Sequence, residues 1–217
     1  PKKITNGIDG DIPSKPFGDA SEYAFSPDGK TIVFSVRIAG KTEAWSTNFD
    51  LYTVAADGNG TPKNLTAENL AMDTGPVFSH DGKTLYYRAM KRATFEADRL
   101  AVMSMDLATG TRREINAAWD RSADSLSLSS DGKTVYTVSD DVGSHALFAI
   151  DINTGAARKL AGNGTVSGFD VVGNTLVFAR STLTSPAQLF SADAKGGKIK
   201  QISNFNADKL KDIAMGS

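Results

Sequence analysis

The amino-acid sequence predicts an all-β protein assembled from repeated modules of four short antiparallel strands, and three observations lead to this expectation. A strand–turn–strand unit with a Ser-x-Asp-Gly-Lys-Thr turn recurs along the chain. Each copy is followed by a third apolar strand and then by a short fourth strand. Helical periodicity is not sustained anywhere except over residues 207–213, so an all-β class is expected.

The repeated unit is clearest at residues 25–34, returns at 78–87 and 128–136, and has a degenerate copy at 171–178. Between the turn glycines (29 to 82, 82 to 132 and 132 to 173) the spacing is 53, 50 and 41 residues. Asp-Gly between two apolar runs is a strong hairpin signal, because glycine tolerates the positive φ of such turns. Each copy is therefore predicted to be a hairpin whose aspartate satisfies backbone groups of the turn and has no catalytic role.

The remaining two strands of each module follow at regular distances. Third strands are predicted at 50–54, 100–105, 146–150 and 188–192. Fourth strands are predicted at 63–66, 113–116, 158–161 and 200–203. Four short antiparallel strands that repeat every ~40–50 residues are typical of the blade of a β-propeller.

The blades are predicted at about 20–66, 73–116, 123–161 and 165–203, within one β-propeller region that covers residues 1–217. Because Lys2-Lys3-Ile4-Thr5 is similar to the fourth-strand copies, residues 1–5 are predicted to be the last strand of a preceding blade. A blade buries its faces only against neighbours, and a ring must close to protect its edges. A portion of a larger propeller is favoured over the alternative, a complete four-bladed domain, since small rings are uncommon.

Composition excludes several classes of function. The 217 residues include 24 basic and 25 acidic side chains, and a net charge of −1 favours neither nucleic acid nor an anionic membrane as a partner. Apolar runs of only a few residues predict no segment that crosses a bilayer. The absence of cysteine excludes disulfides, thiolate metal sites and a cysteine nucleophile.

One segment has the partial spacing of a calcium loop, with Asp57, Asn59, Thr61 and Glu68 at positions 1, 3, 5 and 12. Pro62 stands where the sharp turn of such a loop needs glycine, and no helices are predicted beside it. We therefore predict no metal site and no cofactor.

The segments between the repeats carry a resemblance to a known family. They lie at residues 16–23, 43–50, 95–99, 119–122 and 165–169. With the Ser-Pro-Asp-Gly-Lys, Asp-Leu-Tyr and Lys-Asn-Leu-Thr repeats, they resemble the propellers of prolyl oligopeptidase-type serine peptidases, and the repeats also resemble TolB-like proteins. Their order is similar to that in the dipeptidyl peptidase and acylaminoacyl peptidase branch, particularly the dipeptidyl peptidase V type, from about Lys2 to about Lys211.

The resemblance implies a division of labour between two domains. In that family a propeller caps an α/β-hydrolase domain that follows it and carries the Ser-Asp-His triad. No Gly-x-Ser-x-Gly motif occurs in the 217 residues, so this polypeptide alone is predicted to have no catalytic residues. The implied partners are a C-terminal α/β-hydrolase domain of the same parent chain and short peptides. A periplasmic or secreted location is favoured, although the compartment stays open.

The resemblance also implies a role for the propeller in holding the substrate. A dipeptidyl peptidase must anchor the free amino terminus of its substrate, and a carboxylate does so by a charge-assisted hydrogen bond. Glu96 is the best candidate because it lies in a long segment between strands, and Trp119 could form an apolar or cation–π wall. In the alternative reading, Glu96 pairs with Arg92 or Arg99 on a solvated loop, and Trp119 packs between blades.

Trp45 and Asp98 are weaker candidates for the same site. Two further functions compete with that of a peptidase propeller: a TolB-like interaction propeller without enzymatic activity, and a four-bladed lectin-like or scaffold domain.

Overall fold

The computed structural model describes residues 2–15, 18–205 and 207–213. The chain divides into two compact units, residues 1–126 and 127–217. The described residues form sixteen strands, two short 3-10 helices (Ala20–Glu22 and Gly40–Thr42) and one four-residue helix, α1 (Ala207–Leu210). No helix in these ranges is long and apolar enough to span a bilayer. The prediction of an all-β fold built from sets of four antiparallel strands, as in a portion of a propeller, is confirmed, although two of these sets are joined into one sheet.

The first unit contains two four-stranded antiparallel sheets, each in sequential strand order. The first sheet consists of β1 (Tyr23–Phe25), β2 (Thr31–Val36), β3 (Asp50–Ala55) and β4 (Lys63–Asn64). The second consists of β5 (Asp73–Phe78), β6 (Thr84–Ala89), β7 (Ala101–Asp106) and β8 (Arg112–Glu114).

The fourth strands β4 and β8 end earlier than the sequence predicts, because a side-chain oxygen takes the place of the next backbone acceptor for the third strand. The amide of Leu51 donates to Thr66 Oγ1 at 2.9 Å. At the corresponding place in the second sheet, the amide of Val102 donates to Asn116 Oδ1 at 3.3 Å. These two polar side chains satisfy the third strand where the fourth strand has already turned away.

The repeated turns are built from the same hydrogen bonds in each copy. In the first, Asp28 Oδ1 accepts from Ser26 Oγ at 2.7 Å and from the amide of Lys30 at 3.1 Å. Gly29 has a φ of 70°, in the left-handed region. The turns at 79–84 and 129–134 repeat these contacts. The structural role predicted for the aspartates is therefore confirmed.

A buried apolar layer lies between the two sheets of the first unit. Its members come from both sheets, namely Val33, Leu51, Phe78, Leu85, Tyr87, Ala89 and Met105. Alternate residues of β2 point to its other face, so the strand is buried on both sides over most of its length.

Residues 2–5, predicted to be the last strand of a preceding blade, form no strand in the structure, and Pro1 lies outside the described residues. The segment covers a sheet face: Ile4, Ile8 and Ile12 pack against the cluster of Ile32, Phe34, Val36 and Val54. A strand forms when its backbone pairs with the edge of a sheet, whereas this segment contacts side chains on the face of a sheet. The assignment of these residues to a preceding blade, like the blade boundaries, stays a prediction.

The second unit contains one larger sheet. Its strands are β9 (Ser127–Leu128), β10 (Thr134–Asp141), β11 (Ser144–Asp151), β12 (Ala157–Ala161), β13 (Thr165–Val172), β14 (Thr175–Thr182), β15 (Ser185–Asp193) and β16 (Lys200–Gln201). Two antiparallel sets, β9–β12 and β13–β16, join where His145 of β11 forms a parallel bridge with Thr165 of β13. The buried cluster of this unit draws on both sets, with Tyr136, Leu147, Val166, Leu176, Phe178 and Phe190 among its members.

Candidate functional site

The modules differ most in the connection between their second and third strands. In the first unit these connections are long, at residues 37–49 (the first excursion) and 90–100 (the second excursion). In the second unit the corresponding connections have two residues each, at 142–143 and 183–184. Two residues suffice to join adjacent antiparallel strands, so the two excursions contain residues that the sheets do not need. Such surplus loop residues are common sites of function.

The second excursion is fixed at both of its ends. The carboxylate of Asp98 accepts from the amides of Lys91 and Arg92 at 2.8 and 2.7 Å. Burial raises the pKa of Asp98, but these backbone hydrogen bonds outweigh burial and the pKa lies below its ordinary value. Asp98, a weaker candidate for substrate binding, therefore has a structural role as the clamp of this loop.

Glu114, at the end of β8, adds a second clamp. Its carboxylate pairs with Lys91 Nζ at 2.6 Å and with the guanidinium of Arg99. Partial burial raises the pKa of Glu114, but the hydrogen bonds from Lys91 and Arg99 outweigh burial and leave the pKa lowered. Glu114 was not predicted as a site residue, although it lies in a predicted fourth strand directly after two basic residues.

Glu96 lies exposed at the tip of the second excursion. Both arginines that were considered as its partners are engaged elsewhere. The guanidinium of Arg92 stacks on the ring of Phe95 at 3.9 Å, and that of Arg99 pairs with Glu114. The structure thus presents the carboxylate of Glu96 to solvent on a clamped loop.

Trp119 lies in the turn that follows β8, at the same end of the second sheet as the second excursion. Its side chain is half-buried, and its amide donates to the carbonyl of Asn116 at 2.9 Å. Arg99 Nη1 donates to the carbonyl of Trp119 at 3.0 Å, so the turn is tied to the excursion. Glu96 and Trp119 therefore belong to two neighbouring segments that share Arg99 as a link.

The first excursion is organised around Arg37. Its Nη2 donates to the carbonyls of Glu43 and Ser46 at 2.6 and 3.0 Å. Trp45, between these two carbonyls, is 62% exposed. The two excursions are also joined directly, because the amide of Thr94 donates to Thr47 Oγ1 at 2.9 Å. Of segment 16–23, Pro16 and Phe17 lie outside the described residues.

A buried acid that the sequence analysis missed lies beneath the second excursion. Asp73 is 1% exposed and accepts from Asn69 Nδ2 at 3.1 Å. Burial raises its pKa to about 7. Asp73 lines a cavity of about 250 Å³ together with Met90 and Lys91, at the foot of the excursion.

Comparison with known proteins gives relatives in sequence. The chain is 35% identical over 203 residues to a probable dipeptidyl-peptidase 5 of Emericella nidulans, an alignment that covers 88% of this chain and 28% of that protein. It is 28% identical over 218 residues to the dipeptidyl-peptidase 5 of Porphyromonas gingivalis, covering 98% of this chain and 32% of that protein. The chain thus spans about a third or less of the length of these relatives. No protein-family model matches it.

Solved structures agree in fold. The acylaminoacyl peptidase of Pyrococcus horikoshii superimposes with a TM-score of 0.69 at 21% identity, over 88% of this chain and 28% of that one. The β-propeller domain of the Trilobed protease from Pyrococcus furiosus gives 0.65 at 19% identity, over 88% and 57%. A TolB protein described as putative, from Agrobacterium tumefaciens, gives 0.65 at 18%, over 84% and 64%. At these identities the likeness shows the propeller fold alone. The relatives in sequence place this chain in the prolyl oligopeptidase family, in the dipeptidyl-peptidase 5 type, and the solved structures show that its fold is that of a β-propeller segment.

Proposed function

We propose that the chain is the non-catalytic propeller of a serine exopeptidase that releases dipeptides or acylated residues from the amino termini of peptides. In this proposal a C-terminal α/β-hydrolase domain of the parent chain supplies the catalytic triad. The propeller limits entry to short peptides and anchors the substrate's amino terminus. The sequence relatives named dipeptidyl-peptidase 5 support the class of reaction.

The observation that carries the anchoring role is the exposed carboxylate of Glu96 on a loop clamped at both ends. The distance between the anchoring carboxylate and the nucleophile must be fixed, because that distance determines how many residues are released. The clamps at Asp98 and Glu114 reduce the conformational freedom that the loop would lose on binding. A charge-assisted hydrogen bond to the ammonium then contributes fully to affinity.

Trp119 is the proposed apolar wall beside this anchor. Its side chain is half-buried, and the backbone of its turn is fixed because the carbonyl of Trp119 accepts from Arg99. An indole face favours both a cation and an apolar side chain of the substrate. Trp45, exposed on the first excursion, stays a weaker candidate for the same wall.

Replacement of the anchor in the full-length parent enzyme tests the proposal. We expect Glu96→Gln to lower kcat/KM for dipeptide chromogenic substrates with a free amino terminus by roughly 10–100-fold, the loss of a hydrogen bond between charged groups. The effect should lie mainly in KM, and N-acetylated substrates should be cleaved as before.

Glu43→Gln is the matched control, because Glu43 is an exposed carboxylate of the other excursion and pairs with Arg37 at 3.8 Å. It should change neither substrate class. Equal activity of wild type and Glu96→Gln on free-amine substrates would remove Glu96 from the site.

A TolB-like interaction propeller without enzymatic activity is the second candidate, favoured by the likeness to the Agrobacterium tumefaciens TolB structure. The coding sequence that follows codon 217 separates the two. A Gly-x-Ser-x-Gly motif followed by Asp and His there supports the peptidase, whereas a stop codon supports the interaction propeller.

A further inference from the structure

A second cavity, of about 440 Å³, lies in the first unit beside the first strands of its two sheets, β1 and β5. Half-exposed aromatic side chains of Tyr23 and Phe25 form part of its wall. The hydroxyl-bearing residues Ser21 and Ser125 and the cation Arg88 line it as well. Its size is within the range of small-ligand sites, and it combines apolar walls with a few polar groups, as such sites do.

Arg88 is unusual for its position. It lies within β6, where its neighbours in the strand are buried aromatic and aliphatic residues, and its side chain is only 10% exposed. Among the residues that the structure describes, its Nε has no hydrogen-bond partner. A charge removed from water is costly unless it is paired and hydrogen-bonded.

The backbone of β5 is shaped to admit this guanidinium. Gly75 has a φ of 63°, and a Cβ added there would lie 2.6 Å from Arg88 Nε. The pairing of β5 with β6 shifts register between Thr74 and Val77, which places the glycine in an irregular stretch of strand. The glycine thus leaves room for the guanidinium, which packs where the Cβ of any other residue would collide with it.

The acidic groups around Arg88 compensate its charge only in part. The carboxylate of Asp124 lies 3.8 Å from Arg88 Nη1 but is two-thirds exposed, and the carbonyl of Asp124 accepts from the same nitrogen. The carboxylates of Asp19 and Glu22 are bound by Ser21 and Ser14. Burial lowers the pKa of Arg88, and the attraction of these carboxylates does not reverse that shift.

We propose that this cavity binds a carboxylate attached to an apolar group, such as the C-terminal residue of a short peptide. Arg88 is its counter-ion, the hydroxyl of Ser125 is a donor, and Tyr23 and Phe25 contact the apolar group. A guanidinium matches the planar geometry of a carboxylate. Among the described residues that line the cavity, Arg88 is the one arginine or lysine, and three carboxylates lie near it, so a monoanion is favoured over a phosphate dianion. This site is independent of the proposed anchor at Glu96, so a result for one site does not decide the other.

Calorimetric titration of the 217-residue chain at neutral pH tests the proposal. We expect N-acetylphenylalanine to bind at least about tenfold more tightly than the neutral N-acetylphenylalaninamide, the difference that one charge-assisted hydrogen bond makes. Inorganic phosphate, which has no apolar group, should bind more weakly than the acid. Equal binding of acid and amide, tighter binding of phosphate, or no binding of the acid would each overturn the proposal.

Arg88→Gln should weaken binding of the acid at least about tenfold. Arg37→Gln is the matched control, because the Nε of Arg37 also has no partner among the described residues, yet Arg37 does not line the cavity. It should leave the affinity unchanged. A loss of affinity of the same size in both variants would contradict a specific role of Arg88.

A readout in the wild-type chain keeps the test decisive if Arg88→Gln does not fold. The Nε–H resonance of Arg88 should shift on titration with the acid and stay in place with the amide. If saturating N-acetylphenylalanine leaves this resonance in place, the proposed site is refuted.

Discussion

Asp73 begins β5 with its carboxyl group almost entirely removed from solvent. The pKa of Asp73 is about 7, chiefly because burial raises it. The hydrogen bonds from Asn69 and Thr66 and the charge of Arg112 act in the opposite direction, whereas the charge of Asp50 raises the pKa further. The folded protein therefore holds a proton on this group over a pH range in which the unfolded chain has released it. Stability must depend on pH through this single residue.

The sign of that dependence is fixed by the direction of the shift. The stabilisation is fully present below the ordinary pKa of 3.8 and is lost as pH rises to about 7. The difference between the two pKa values corresponds to about 4 kcal/mol. Asp73→Asn has no proton to lose, so its free energy of unfolding relative to wild type should increase by about 4 kcal/mol between pH 4 and pH 8.

Urea unfolding at several pH values measures this difference. Asp81→Asn is the control, because Asp81 is an exposed turn carboxylate whose pKa is lowered, chiefly by the hydrogen bond from Ser79. Its contribution has the opposite sign and is lost as pH falls. Parallel profiles of wild type and Asp73→Asn from pH 4 to pH 8 would show that Asp73 titrates normally.

Residues of the candidate sites were predictable to different degrees. Glu96 could be proposed from the sequence, because its segment is longer than a repeat requires, and its role stays a prediction. Asp73 and Arg88 could not, since both look like ordinary strand residues until the fold removes them from water. Their chemistry depends on neighbours far along the chain, such as Asp50 for Asp73 and Asp124 for Arg88. Burial of a polar group is a property of the tertiary structure, and no local pattern specifies it.

At the scale of elements, the repeated turns show how a local pattern does specify structure. Ser26, Asp28 and Gly29 form their hydrogen bonds within six residues of one another, so the hairpin is encoded without help from the rest of the chain. The ends of the fourth strands were harder to predict. They depend on whether Thr66 or Asn116 reaches a third-strand amide about fifteen residues away.

The turn glycine should be the most sensitive residue of this element. Gly29 has a φ of 70° and nothing within 4 Å of an added Cβ, so substitution with alanine introduces backbone strain without a steric clash. We expect Gly29→Ala to lower the free energy of unfolding by about 1–2 kcal/mol. Gly168→Ala is the control, because Gly168 also has nothing within 4 Å but lacks a left-handed φ. Equal effects of the two substitutions on urea unfolding would mean that φ at Gly29 is not the cause.

At the scale of the whole molecule, the fold exposes a problem common to stacked sheets: each sheet has two faces to cover. In the first unit, one face of the first sheet packs on the second sheet. The other face is covered by the chain's own N-terminal segment through Ile4, Ile8 and Ile12. The repeats in the sequence specify the sheets, but nothing in a repeat indicates which segment covers an outer face, because that contact occurs once.

This contact gives the last prediction. Replacing Ile4, Ile8 and Ile12 with serine removes partly buried apolar surface from one side of the cluster around Phe34. We expect the free energy of unfolding of the first unit to fall by roughly 2–4 kcal/mol, about 1 kcal/mol for each side chain. The uncovered sheet face should also bind a hydrophobic dye.

Tryptophan fluorescence isolates the first unit in this experiment, because both tryptophans of the chain, Trp45 and Trp119, lie within it. The matched control replaces three apolar residues that are already exposed in the second unit, Val172, Leu183 and Ile202, with serine. These side chains lose little burial on substitution, so the tryptophan-detected midpoint should stay at the wild-type value. If the N-terminal variant also unfolds at the wild-type midpoint and binds no more dye, the segment does not stabilise the sheet it covers.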